Sequence, residues 1–160
     1  MPPRCSAFHK TFEMDIRKRI VATAAAALLM VPATGAVKGA AKPNGGFNWG
    51  PVMEAIIHVE SGGRANAVSG ASVGAMQITP ICVRECNNIL KRRGSEKRYK
   101  LADRLSVEKS KEMFLLLQSH FNPGNNVEKA IRAWNGGNNY SVKGTQRYYE
   151  KVVRRMKGNS

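Results

Sequence analysis

Apolar positions in this chain recur at spacings of three and four and nowhere at a sustained spacing of two, so the sequence predicts helices and at most short, peripheral strands. From Pro51, a residue suited to a first helical position, Val52, Ile56 and Val59 interleave with Met53, Ile57 and Glu60 until Gly62 and Gly63 stop the pattern. Glu60 therefore ends the first helix on an inward face. Residues 64–78 are rich in Gly, Ser, Asn and Ala and read as an ordered loop with room for a short extended or helical piece; such loops often line sites. A second helix is expected behind Thr79 as cap and Pro80. It buries Cys82, Cys86, Ile89 and Leu90 and ends in Lys91, Arg92 and Arg93 before Gly94, cations that complement a helix C-terminus. Ser106 caps a longer helix with the stripe Val107, Met113, Phe114, Leu117 and Phe121, stopped by Pro123 and Gly124. Asn126 opens the next, which carries Val127, Ala130, Ile131 and Trp134 and breaks at Gly136 and Gly137; a last helix is expected from about Thr145 to Met156. No internal repeat is present.

The first 48 residues read differently. Arg17, Lys18 and Arg19 form a positive stretch before the apolar run Ile20 to Val31, and small residues follow around Thr34, Gly35 and Ala36, the order of a secretory signal. A run of about 12 apolar residues is too short to cross a hydrocarbon core of ~30 Å as a helix. Residues 1–36 are thus expected to be a signal region cleaved near Ala36, with either Met14 as the true start or residues 1–13 as an extended positive stretch. Residues 37–48, small and polar, are expected to link it to a single domain at 49–160, a length that suits one core. The mature protein would be exported, to the periplasm or beyond, and would meet the membrane only through the leader.

Charge narrows the partners without choosing among them. The 160 residues hold 26 Lys and Arg against 11 Asp and Glu, a formal +15; removing residues 1–36 takes away five basic and two acidic residues and leaves about +12. Such a domain favours polyanions, whether nucleic acid, anionic lipid or acid-bearing cell wall. The leader argues against a specific nucleic acid. Cys82 and Cys86 stand four apart on a helix, where Cβ atoms lie about 5–6 Å apart, while a disulfide wants roughly 3.5–4.5 Å. They read first as small buried hydrophobes, with a strained bridge or a soft-metal site with His58 or His120 as alternatives.

Glu60 is one of only nine acidic residues after position 36, and it lies on an otherwise apolar helical face. Partial desolvation and the negative end of a helix both favour the protonated form of a carboxyl there. A carboxyl that keeps its proton near neutral pH can protonate a glycosidic oxygen, which an ordinary surface Glu cannot. Taken alone, Glu60 could equally be a helix-end residue turned to water or paired with Arg64. Its company matters more. Glu60-Ser61-Gly62, Gly74-Ala75-Met76-Gln77-Ile78, Ala133-Trp134-Asn135-Gly136-Gly137 and the segment Thr145 to Val153 follow one another in the order of four blocks of the soluble lytic transglycosylase family, which this chain resembles over about residues 50–156.

That resemblance implies a mainly α, lysozyme-like domain, of the type shared with goose-type lysozyme, with a groove for glycan strands of peptidoglycan. It implies Glu60 as catalytic residue, Ser69 and Gln77 as groove residues bonding sugar or its acetamido group, and Met76 as a cleft lining. Asn135 would be a substrate-binding polar residue and Tyr148 the tyrosine whose hydroxyl orients the catalytic carboxyl. Packing alone could also account for Met76 and for the ring of Tyr148, and loop capping for Ser69. Three positions depart from the family pattern: Ala75 for Leu, Gly136 for Ala, and Trp134 for Tyr, which keeps an aromatic wall while exchanging a phenol for an indole donor.

The implied reaction needs one carboxyl and no cofactor or metal. Glu60 would protonate the bond between N-acetylmuramic acid and N-acetylglucosamine, the substrate's acetamido group would support the charge at C1, and the C6 hydroxyl would close on C1 to leave a 1,6-anhydro end. Ordinary glycosidases hold a second carboxyl roughly 5–9.5 Å away, and none falls in a matched block; Glu54 is rotated off the Glu60 face and Glu85 is expected on the solvent side of the second helix. Two rivals remain: a muramidase of the same fold, and a non-catalytic cationic module binding wall or nucleic acid through Lys91, Arg92, Arg93, Arg154, Arg155 and Lys157, residues that also read as solvated helix ends. So small a protein also resembles the transglycosylases that open the wall for secretion, pilus or conjugation machinery, and the wall-degrading domains of phage particles.

Overall fold

The structure, a computed structural model, describes residues 46–158. The expected leader and most of the expected linker lie outside the described residues, as do residues 159 and 160. Among the described residues five α-helices carry the fold: α1 (Gly50–Ser61), α2 (Pro80–Arg92), α3 (Val107–Phe121), α4 (Val127–Gly136) and α5 (Val142–Lys157). Between α1 and α2 lies a hairpin of two short strands, β1 (Val68–Ser69) and β2 (Ser72–Val73), antiparallel with Val68 opposite Val73. The mainly α architecture expected from the spacing of apolar residues is the one observed.

The helix limits follow from local chemistry. α1 stops where Gly62 turns left-handed at φ 64° and its N–H returns to the His58 carbonyl. Thr79, Ser106 and Asn126 each accept a backbone N–H of the following turn, capping α2, α3 and α4 as expected. The last helix starts earlier than expected, at Val142, because Ser141 accepts the Gly144 N–H at 3.0 Å and so caps a turn whose glycine obscures the period. A 3₁₀ turn at Leu101–Leu105, with no buried residue, has no apolar period to announce it.

The core gathers Val52, Ile56 and Ile57 of α1, Met76 and Ile78 after the hairpin, Cys82, Cys86 and Ile89 of α2, Met113, Phe114 and Leu117 of α3, Ile131 and Trp134 of α4, and Val152 of α5. Trp49, Phe114 and Trp134 form an aromatic row through it, with centroids 5.6 and 5.3 Å apart in edge and tilted contacts. Cys82 and Cys86 are two buried thiols with no bridge between them, and the Cys86 thiol donates to the Met113 carbonyl at 3.8 Å, joining α2 to α3. Neither histidine of the weighed soft-metal site faces them: His58 is exposed on α1, and His120 lies 3.4 Å from Arg92. Burial, then the charges of Arg92 and Arg93, hold the His120 pKa below its usual range.

Two polar side chains, one half-buried and one buried, stitch elements that apolar packing would leave loose. Asn87 of α2 accepts the Tyr99 N–H at 2.8 Å and donates to the Tyr99 carbonyl at 2.9 Å, so its amide completes the backbone pairing of the loop before the 3₁₀ turn. Arg132 of α4, 3% exposed, donates to Glu128 on its own helix and to the Val142 carbonyl, Thr145 Oγ1 and Gln146 Oε1 of α5, all within 3.2 Å. Its guanidinium also covers the Tyr149 ring at 4.3 Å. This arginine fixes the first turn of α5 against α4.

The segment Gly74-Ala75-Met76-Gln77 is a tight turn closed by reciprocal backbone bonds between Val73 and Ile78. Gly74 (φ 84°) and Gln77 (φ 52°) both adopt left-handed backbone. At Gly74 a side chain is excluded twice, because a Cβ would also stand 1.7 Å from the Arg104 carbonyl oxygen. Gly74→Ala should therefore destabilise the fold by roughly 2–4 kcal/mol, combining φ strain with overpacking against backbone. The urea midpoint measures this, and an unchanged midpoint would show that the turn does not depend on the bare backbone.

Candidate active site

Glu60 is the penultimate residue of α1, half-buried, with the core residues Ile56 and Ile57 one turn earlier. It lines an open depression with Val59, Ser61, Gly62 and Arg64, and is the one carboxylate among those lining residues. The Tyr148 hydroxyl, from the middle of α5, donates to Glu60 Oε1 at 2.8 Å. That contact joins positions 88 residues apart and depends on the packing of α1 against α5. The Tyr148 ring is buried in the core. Packing thus places the ring, and its hydroxyl reaches the carboxyl at the helix end.

Arg64 and Glu60 form no ion pair. The Arg64 Nε–H donates instead to the Ser61 carbonyl at 3.0 Å, and the Ser61 hydroxyl donates back to the Ile57 carbonyl at 3.1 Å. The first of these bonds occupies a carbonyl that the end of α1 leaves without a helical partner. The other acids have their own contacts: Glu54 pairs with Lys111 of α3, and Glu85, half-buried rather than fully on the solvent side, pairs with Arg92 at 3.0 Å.

The remaining expected site residues occupy three kinds of position. Ser69 is exposed at the end of β1, on the hairpin that follows the depression in sequence. Asn135 is half-buried in the last turn of α4. Met76, Gln77 and Trp134 are buried. The Gln77 amide donates to the Ala67 carbonyl at 3.2 Å and the Gly74 carbonyl at 3.0 Å, so its N–H groups hold the two ends of the hairpin together. Met76 is fully enclosed by the core, and its carbonyl accepts the Trp134 indole N–H at 3.3 Å. The indole donor thus has a partner, and it ties the turn at 74–77 to α4.

The departure at Gly136 also has a local cause. A Cβ there would stand 2.8 Å from both Thr145 Cγ2 and Tyr140 Cβ, space that those residues already fill. Sequence reasoning weighed Arg64 only as a partner for Glu60 and did not find Arg104 or Arg132. Arg104 donates to the Ala71 and Ile78 carbonyls and so clamps the hairpin to the 3₁₀ turn. No local period marks such residues, since their partners come from distant segments; for Arg64 the signal was a lone cation two glycines beyond a helix end.

The depression is a place where a carboxyl held by a phenol meets solvent beside bare glycine backbone, an arrangement in which a carboxyl can exchange a proton with a group brought to it. Among the described residues no helix is long and apolar enough to cross a membrane, and no group of three or more His, Cys, Asp or Glu could hold a metal ion. No curated protein matches the chain. The model of the transglycosylase SLT domain matches residues 42–155, most of the chain and the whole of the helical domain up to the last turn of α5. With its helices, its turn at 74–77 and its carboxyl at the end of α1, the chain belongs to the transglycosylase SLT domain family, whose mainly helical, lysozyme-like domain acts on peptidoglycan.

Proposed function

We propose that the chain is a lytic transglycosylase that cleaves the bond between N-acetylmuramic acid and N-acetylglucosamine without water, with Glu60 as its single acid and base. The observation that carries this reading is the hydrogen bond from Tyr148 to Glu60 at the one carboxylate of the depression. A donor on Oε1 fixes one carboxyl oxygen and so aims the other. Glu60 then protonates the glycosidic oxygen, the substrate's acetamido group supports the positive charge at C1, and the deprotonated carboxylate takes the proton of the C6 hydroxyl as that oxygen closes on C1. Acid and base are one group used twice, and the product is a 1,6-anhydromuramic end.

Ser69 on the hairpin and Asn135 at the end of α4 are read as polar contacts for sugar, while Gln77, Met76 and Trp134 shape the wall that the hairpin and α4 present. The absence of a second acid among the lining residues favours this route over a muramidase, which needs a carboxylate partner or a positioned water. Residues 1–36, outside the described residues, are read as the leader that brings the enzyme to its substrate.

Digested peptidoglycan should yield muropeptides with anhydro ends, one water lighter than hydrolysis products in the mass spectrum; reducing ends alone would defeat the non-hydrolytic route. Glu60→Gln should lower kcat by about 10³-fold or more while leaving the thermal midpoint within a few degrees, because the amide keeps the shape and loses the proton. Substantial turnover by that variant would remove Glu60 from its role. Tyr148→Phe keeps the buried ring and deletes only the donor. It should lower kcat roughly tenfold with little change in KM, and an unaltered kcat would mean that packing explains Tyr148 entirely. A purely cationic wall-binding protein would instead be indifferent to Glu60→Gln and would lose affinity steeply with salt.

A further inference from the structure

Arg64 stands on the rim of the depression that holds Glu60, and its stem is fixed. Its Nε–H donates to the Ser61 carbonyl at 3.0 Å, and its backbone N–H approaches the same oxygen at 3.4 Å. That use consumes one of five guanidinium donors. No carboxylate among the described residues lies within ion-pair distance of Arg64, although Arg92, Lys97, Lys109, Lys111 and Arg132 each have one. Between Arg64 and Glu60, Gly62 and Gly63 leave a floor of bare backbone, and a Cβ at either would meet nothing within 4 Å. A guanidinium fork anchored at its base, exposed at its tip and facing open space beside a carbohydrate site suits a planar anion.

We propose that Arg64 is a specificity-determining residue that binds a carboxylate of the glycan strand. This rests on the peptidoglycan reading of the site and adds to it which feature of the strand is selected. Of the two sugars, N-acetylglucosamine carries no acid. N-acetylmuramic acid carries a lactyl group whose carboxyl is either free, in strands without peptides, or joined to a peptide stem that has carboxylates of its own. Arg64 therefore sets the preference for muramic-acid-bearing strands over neutral polymers of the same linkage. An arginine that only capped α1 through Nε would have no such preference.

The test is calorimetric binding by the full chain carrying Glu60→Gln, alone and combined with Arg64→Gln or Arg64→Lys. The probes are soluble glycan strands in three forms: with peptide stems, stripped of stems so that the lactyl carboxylate is free, and stripped with that carboxylate converted to a neutral amide. Arg64→Gln should weaken binding about tenfold to at least one carboxylate-bearing form and leave the neutral form unchanged, as expected for loss of a charge-assisted pair. Loss on stripped strands only assigns the lactyl carboxylate, loss on stem-bearing strands only assigns the stem, and loss on both shows that the fork takes either. Arg64→Lys, which keeps the charge and loses the planar fork, should fall between the parent and Arg64→Gln on the same carboxylate-bearing form. Equal weakening on all three forms, or none on any, overturns the proposal. Failure of the enzymatic reading looks different: the unsubstituted chain would then cleave no strand, while carboxylate binding through Arg64 persisted.

Discussion

One hydrogen bond, from the Tyr148 hydroxyl to Glu60 Oε1, holds the proposed chemistry in place, and much of the domain reads as what is needed to make it. Neither residue is near the other in sequence, and each sits where its own helix delivers it. α1 must end at Gly62 so that Glu60 stands at the helix terminus rather than within it. α5 must keep its register so that Tyr148, and not Arg147 or Tyr149, faces α1. A slip of one residue turns an α-helix by about 100° and removes the hydroxyl from reach. The burial of Thr145, Tyr148 and Val152 on one face of α5 sets that register by packing.

Polar interactions lock what packing sets. Arg132 reaches from α4 into the first turn of α5 and meets one carboxylate, one carbonyl, one hydroxyl and one amide. A buried guanidinium is costly unless its donors are used, so this arrangement tolerates few alternative placements of α5. The position of the carboxyl is thereby linked to a residue on α4 that does not line the depression. Arg104 does the same for the hairpin: its guanidinium spans the Ala71 and Ile78 carbonyls, and its own carbonyl faces the bare Gly74 and accepts the Ser110 hydroxyl of α3.

Much of this was legible in the sequence, for identifiable reasons. Helices announce themselves through periods of three and four, and caps through single residues, so α1 to α4 and their capping residues Thr79, Ser106 and Asn126 could be read directly. The start of α5 was misread because Ser141 and Gly144 look like loop, and only the bond between them reveals a cap. The 3₁₀ turn buries nothing and left no pattern. In the site, Glu60 was conspicuous as an acid on an apolar face, and the link to Tyr148 came from family resemblance, since no spacing rule connects residues 88 apart. Arg104 and Arg132 were hidden in a chain with 26 Lys and Arg, where a cation is unremarkable until its neighbours are known, and Arg64 was visible only as a possible partner for Glu60.

The two departures in the third block make physical sense together. A tryptophan at 134 extends the aromatic row from Trp49 through Phe114 and spends its only donor on the Met76 carbonyl, so it stabilises the turn at 74–77 from behind. Glycine at 136 leaves room, two residues on, for Tyr140 and Thr145 to close over the end of α4. Thr145 is also an acceptor for Arg132. The larger residue anchors α4 to the hairpin side, and the smaller one lets the start of α5 approach on the other. In this chain the block is therefore the junction where the hairpin, α4 and α5 are held in mutual register, and the carboxyl at the end of α1 takes its fixed direction from that register.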